Sequence, residues 1–202
     1  VKASIMIEGL QGSGKSGLAL ALARVLASDW DKIYAIDTEN QSLDWFDGIK
    51  LNTGIEITNF NKVDLTPDDG FEPSNYMTLR EDAIDAGAEV VIMDSISHMW
   101  NRKGGLLDKV TEAQAAGLDS YRSWGTDENR REKEIIFDLV RSHKAHIIST
   151  VRSKEKFGME YDETRGRSKV VSLGVQRIEQ EGLKYEPEVV LRMVSAGQTD
   201  CT

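Results

Sequence analysis

The chain has 202 residues, enough for one sizeable hydrophobic core and short for two. Its apolar and charged fractions, 40% and 29%, are those of an ordinary folded domain and exclude a disordered segment as the default. The formal net charge of -9 argues against a globally basic, non-specific nucleic-acid binder, and a single cysteine, Cys201, cannot build a disulfide framework or a cysteine-based metal site. Nothing resembles a secretory signal, and the most apolar helical stretch, 18–27, is too short to span a bilayer and is interrupted by Arg24. A cytoplasmic protein with no membrane partner is expected. The chain opens on Val1 rather than methionine, which reads either as trimming or as an artificial boundary.

In chain order, residues 3–7 are a short apolar run ahead of a glycine and predict a buried strand. The Leu- and Ala-rich segment 16–27 predicts a helix. A second strand is expected at 32–36, ended by Asp37-Thr38-Glu39-Asn40, and a third, shorter one at 55–60. Pro67, Gly70, Pro73 and two adjacent aspartates make 64–75 a surface loop. A helix follows at about 76–86, with Gly87 placed to cap its end. The most strongly apolar strand is 89–93, closed by Asp94-Ser95. Segments 106–116 and 128–142 read as helices, the second with Ile135, Leu139 and Ile136, Val140 on one face at i, i+4 spacing. Residues 145–151 predict another buried strand, followed by a charged, glycine-containing stretch over 152–167. Segments 170–178 and 187–194 then read as antiparallel strands joined through Glu181-Gly182. Alternating strands and helices, with strands buried as continuous apolar runs, predict one α/β domain over 1–202. Its sheet is mainly parallel and covered by helices on both faces, with a C-terminal antiparallel hairpin.

The run Gly9-Leu10-Gln11-Gly12-Ser13-Gly14-Lys15-Ser16 meets G-x-x-x-x-G-K-[ST] in full, between a predicted strand and a predicted helix. Its glycines let consecutive amides approach phosphate oxygens, and the helix that continues through Gly17 adds its N-terminal dipole. Lys15 is expected to bridge the β- and γ-phosphates and the Ser16 hydroxyl to hold magnesium, so ATP and Mg2+ are the expected ligands. A metal-side carboxylate normally ends a buried strand next to the P-loop strand, and Asp94 fits that description. Hydrolysis further needs a group that polarises water near the γ-phosphate. Ser95 stands where some P-loop classes place a glutamate, so Glu39, beyond the second strand, is the candidate. Asp37 is the alternative two residues away.

The order of these motifs resembles the ATPase core of RecA-like recombinases: P-loop, a strand ending Asp-Thr-Glu, a strand ending Met-Asp-Ser, and a strand running into Ser149-Thr150-Val151-Arg152-Ser153-Lys154. More closely, the chain is similar to short phage proteins that keep only this core and are associated with single-strand annealing and recombination. The phrases Asp94-Ser95-Ile96-Ser97-His98-Met99-Trp100 and Gln176-Arg177-Ile178, leading through Glu181-Gly182 to Tyr185-Glu186, carry that likeness. The resemblance implies Glu39 as catalytic carboxylate, Asp94 as metal-side aspartate, a homo-oligomer with nucleotide sites near subunit interfaces, and DNA work in a bacterial host cytosol. It also puts Thr150 where recombinases often carry a γ-phosphate-sensing glutamine, a departure, because threonine is shorter.

Lysines and arginines gather late in the chain. Arg152, Lys154, Lys156, Arg165, Arg167 and Lys169 surround a stretch holding Gly158 and Gly166. Two readings stay open. These cations either track single-stranded DNA or reach a phosphate as a sensor or trans-acting finger, with Thr150, Arg152 and Lys154 nearest the nucleotide and Lys156, Arg165, Arg167 and Lys169 on DNA. Alternatively they form a solvated loop balanced by Glu155, Glu160, Asp162 and Glu163. His98, His143 and His146 lack the acidic or cysteine spacing of a zinc site and read as structural or surface residues. Trp30, Trp45, Trp100 and Trp124 read as plugs between helices and sheet, with Trp45 and Phe46 also candidates to border the nucleotide base. Rival functions are a small-molecule P-loop kinase, in which 152–167 would imitate an arginine-rich lid, and a non-hydrolysing nucleotide-dependent binding module.

Overall fold

A computed structural model describes residues 1–51, 54–141, 144–162, 167–179, 182–195 and 198–201. The chain opens with β1 (Ser4–Gly9) and α1 (Lys15–Leu26), then β2 (Ile33–Asp37), β3 (Asn61–Asp64) and α2 (Pro73–Asp85). β4 (Val90–Asp94) is followed by α3 (His98–Asn101), α4 (Leu106–Ala115), α5 (Ser120–Trp124) and α6 (Asp127–Leu139). β5 (His146–Asp162), β6 (Arg167–Arg177), β7 (Val189–Ser195) and β8 (Gln198–Cys201) complete it. Strand order is β3-β2-β4-β5-β1-β7-β8, with β6 paired to β5. Every pairing from β3 across to β7 is parallel; only β5–β6 and β7–β8 are antiparallel. This is the α/β P-loop NTPase fold.

Strand residues alternate faces, so each buried strand feeds two cores. Met6, Ile36, Val91, Met93, Ile147 and Val151 pack with Tyr76 and Ala83 of α2, Leu106 of α4, and Ile136 and Leu139 of α6. Ile5, Ile7, Ile33, Ala35, Val90, Ile92 and Ile148 pack on the other face with Ala19, Leu20 and Ala23 of α1. Each fully buried aliphatic side chain contributes about 1.5–3 kcal/mol, so these two layers hold the sheet flat against its helices. Among the described residues no helix is long and apolar enough to cross a membrane.

Several sequence expectations are corrected. The third strand is Asn61–Asp64, not 55–60. Ile57 is fully buried against the α1 face from an irregular segment, and the polar run beyond it takes the sheet edge, where Lys62 bonds Asp44 and Asp64, each at 2.7 Å. Helix α2 starts at Pro73 rather than near 76, because proline is preset for the first helical turn, where its missing N–H is no loss. The segment 64–75 is less exposed than expected: Leu65 and Phe71 enter the core. β5 does not stop near Val151 but continues to Asp162 as an antiparallel ribbon with β6. The segments expected to pair with each other, 170–178 and 187–194, separate. β6 pairs with β5, while β7 joins β1 in parallel and takes β8 as its antiparallel neighbour. Finally, β4 is not adjacent to the P-loop strand, because β5 lies between β1 and β4.

Candidate functional site

The loop between β1 and α1 is shaped by backbone conformations that disfavour a Cβ. Gly12 and Gly14 have φ of +77° and +93°, and Gly14 directly precedes α1. The first amides of α1 therefore lack intrahelical partners and point toward the sheet edge as an anion-binding terminus. Gly9 is glycine for another reason: a Cβ there would lie 2.8 Å from Met193 Cβ and 2.7 Å from Ser13 Oγ, so β7 could not pass so close. Ser13 N–H donates to the Leu10 carbonyl at 3.2 Å and closes the turn. Gln11 is exposed, and Ser16 and Gly17 are half-buried at the head of α1, where the Phe46 ring packs on Gly17. Lys15 is buried and donates from Nζ to the Leu10 carbonyl at 2.9 Å. Burial pushes its pKa below the usual lysine value, a shift that Asp94 opposes and Arg152 reinforces.

Three acids converge on this edge, two of them by strand parity. Asp37 and Asp94 end β2 and β4 directly opposite each other, on the α1 side of the sheet. Asp94 is buried; its Oδ1 accepts from the Thr150 hydroxyl, while its Oδ2 is buried with no hydrogen-bond partner. A magnesium ion takes one or two carboxylates together with hydroxyl, phosphate and water oxygens rather than an all-protein cage. A free Asp94 oxygen and the Ser16 hydroxyl fit that donor set. Among the described residues no three histidines, cysteines or acids gather to hold a metal unaided. Asp37 is occupied differently, accepting from the Glu39 amide at 2.7 Å and the Leu43 amide at 2.9 Å. It therefore shapes the loop that carries Glu39.

Glu39 meets Arg152, whose Nε and Nη2 donate to Oε1 and Oε2 in a bidentate ion pair. The Arg152 backbone is itself fixed, its amide donating to Ser97 Oγ at 2.8 Å and its carbonyl accepting from Ile178 at 2.8 Å. Beside this pair lies a residue that sequence reasoning assigned to structure or surface. His98 is buried, 2.9 Å through Nδ1 from Thr38 Oγ1 and 3.9 Å through Nε2 from Glu39 Oε1, with its ring against Phe71 at 5.2 Å. Its position four residues after Asp94 was the one signal available. A cavity of about 460 Å³ opens here, lined by Thr38, Glu39, Phe71, His98, Arg102 and Arg152 among others.

The remaining sequence candidates distribute as follows. Thr150 is fully buried with its hydroxyl committed to Asp94. Lys154 is exposed and lines a separate cavity of about 490 Å³ with Trp100, Trp124, Lys133 and Arg177. Of Lys156, Arg167 and Lys169 only the backbone is described, and Arg165 and His143 lie outside the described residues. His146 is structural, accepting from the Ala3 amide at 2.9 Å. Trp30 is buried and Trp100 stacks on Trp124 at 5.9 Å, but Trp45 is 81% exposed and plugs nothing. One feature was missed entirely. Glu8, buried next to Gly9, accepts from Arg192 Nε at 2.6 Å and pairs with Arg177, so β6 and β7 are tied electrostatically to the base of the P-loop.

Asp37 and His98 link proton binding to folding with opposite signs. Burial raises Asp37 from 3.8 to about 6, so the folded chain keeps a proton that the unfolded chain has lost, and this contribution to stability falls as pH rises through that window. Burial, then Arg102, lower His98 from 6.5 to about 4; the unfolded chain binds the extra proton, and this contribution rises with pH. Asp37→Asn removes only the first. The variant's stability, followed by urea unfolding, is expected to climb more steeply than wild type from about pH 4 to 6, by about 1.4 kcal/mol per pH unit. Parallel profiles would mean that Asp37 is ionised throughout in the folded chain.

No curated protein matches this chain. A family model described as an AAA domain matches residues 1–200, which takes in the P-loop, both strand-end aspartates, Glu39 and Arg152. With that match over nearly its whole length, on an α/β sheet carrying a complete P-loop, the chain belongs to the AAA domain family of nucleotide-binding P-loop ATPases.

Proposed function

We propose that this protein hydrolyses ATP with magnesium and couples the reaction to DNA recombination, repair or single-strand annealing, as a phage-encoded RecA-like core acting in a bacterial cytosol. The observation that carries hydrolysis is the convergence on one sheet edge of a buried P-loop lysine, an aspartate with a free oxygen and a glutamate outside the P-loop. In this reading Lys15 and the α1 amides hold the β- and γ-phosphates. Magnesium, bound through Ser16 and Asp94, would neutralise phosphate charge. Thr150 keeps Asp94 oriented, and Glu39 takes a proton from the attacking water. Arg152 acts as sensor: γ-phosphate oxygens compete with Glu39 for its guanidinium, and the carboxylate regains its basicity as that pair opens. The motif order shared with recombinase cores supports the DNA role and a homo-oligomer whose nucleotide sites lie near subunit interfaces.

The cavity beside Glu39 favours one other reading, a kinase that passes the γ-phosphoryl group to a small acceptor seated between Phe71, His98 and Arg102. Phosphate release with and without single-stranded DNA separates the alternatives. DNA-stimulated release supports the main proposal, transfer to a small acceptor supports a kinase, and tight ATP binding with neither supports a non-hydrolysing module.

Lys15→Ala is expected to abolish nucleotide affinity or turnover, and unchanged turnover would remove the site assignment. Glu39→Gln is expected to bind ATP yet lose at least ~100-fold in rate, the scale of general-base catalysis; wild-type turnover would move that role elsewhere. Arg165→Glu with Arg167→Glu is expected to weaken single-stranded DNA binding and flatten its salt dependence in a titration. No change in either would leave these cations as a solvated loop.

A further inference from the structure

We propose that the cavity at the root of the β5–β6 ribbon seats one unstacked base of single-stranded DNA, with Trp100 and Trp124 as its stacking surface and Lys133 and Lys154 on the adjoining phosphates. This rests on the DNA reading above and adds a contact site apart from the nucleotide edge and from the outer cations of the ribbon. The two indoles come from different helices, Trp100 from α3 and Trp124 from the end of α5, and stack at 5.9 Å with 30° between their planes. As plugs they would close the gap between these helices. Instead both remain half-buried and border a space of about 490 Å³, within the range of about 300–1,000 Å³ usual for small-ligand pockets.

The platform is anchored from behind. The Trp100 amide donates to the Ser97 carbonyl at 3.3 Å, and Asn129 of α6 donates to the Ser123 carbonyl, beside Trp124, at 2.8 Å. A surface ordered in advance loses little freedom when a ligand stacks on it.

Charge in the wall favours an anion. Of its three described cations, Arg177 already pairs with Glu8, while among the described residues no acid pairs with Lys133 or Lys154. Its one described acid, Glu179, is pushed by burial from 4.5 to about 7 and so carries less than a full charge at neutral pH. Aromatic surface beside unpaired cations is the chemistry that holds single strands, because every base has a π face and every nucleotide brings a phosphate. In a duplex those faces are already stacked, so the cavity selects an unpaired strand. An aromatic side chain of a protein would use the indoles and leave both lysines without a counter-charge.

The cavity is built on the same elements as the Glu39–Arg152 pair. Lys154 lies opposite Gln176 in the ribbon, and the Ile178 amide donates to the Arg152 carbonyl at 2.8 Å. Ser97, whose hydroxyl accepts from the Arg152 amide, directly precedes the helix that carries Trp100.

The test is binding of a labelled oligothymidylate of about 20 nucleotides, longer than the usual single-strand site, to the full chain with ATP and magnesium, alongside thermal unfolding. Trp124→Leu is expected to raise Kd about 5- to 100-fold, the scale of one lost base stack, and Trp124→Phe to restore most of the affinity. Lys133→Glu with Lys154→Glu, both exposed positions, is expected to weaken binding and flatten its salt dependence. Tyr121→Leu, which removes an exposed aromatic from α5 outside the cavity, is expected to bind as wild type. Either Trp124→Leu or the lysine pair binding within about two-fold of wild type would overturn the proposal, as would an equal loss in Tyr121→Leu. Loss confined to a matching oligouridylate would overturn it in favour of RNA. Should Trp124→Leu not fold, the lysine pair decides. Wild type that binds no oligothymidylate at low salt removes the DNA reading and the cavity's role with it, whereas wild-type binding untouched by the variants removes only the cavity's role.

Discussion

The insertion of β5 between β1 and β4 is the constraint on which the rest depends. Over residues 147–149 this strand is paired on both sides, to the P-loop strand and to the strand ending in Asp94. Parallel pairing brings the ends of β1 and β4 and the Thr150–Arg152 part of β5 to one edge, and the two-residue alternation of side chains decides what appears there. Asp37, Asp94, Thr150 and Arg152 share the parity of the residues that pack against α1. A slip of one residue in β5 would turn Thr150 and Arg152 into the opposite core and leave Asp94 without its hydroxyl partner.

Electrostatics at this edge are a balance between desolvation and pairing. Burying a charge is costly unless partners compensate, and each charged group here has a partner of a different kind. Asp37 takes two backbone amides and still holds its proton to about pH 6, because burial outweighs them. Lys15 has a carbonyl and the field of Asp94, against the repulsion of Arg152. Glu39 and Arg152 satisfy each other with two charge-assisted bonds. Asp94 Oδ2 and His98 Nε2 are the exceptions, two buried polar atoms without hydrogen-bond partners on either side of the Thr38–Glu39 turn.

The ribbon of β5 and β6 starts where this network ends. Arg152 closes the parallel register with Gly9, and at Ser153 the same strand begins antiparallel pairing with Arg177. Arg177 also reaches Glu8 beneath the P-loop. The nucleotide edge and the ribbon are thus joined twice, through the β5 backbone and through a buried ion pair.

Sequence alone determined what depends on local chemistry. The P-loop is legible because eight consecutive residues state a backbone shape, and the main strands and helices are legible because period-2 and period-3.6 patterns need no distant partner. Glu39 and Asp94 could be picked because strand ends in such sheets collect at one edge. Tertiary structure decided everything set by strand order and by partners far along the chain. Nothing local to Val170–Arg177 says that it pairs with β5 rather than β7, or that Asn61–Asp64 outcompetes the more apolar segment before it, since Ile57 gains more in the core than in an edge strand. Likewise no spacing rule ties Arg152 to Glu39, Thr150 to Asp94 or His98 to Thr38. Those contacts cross 113, 56 and 60 residues and exist only because the parallel register brings the strand ends together.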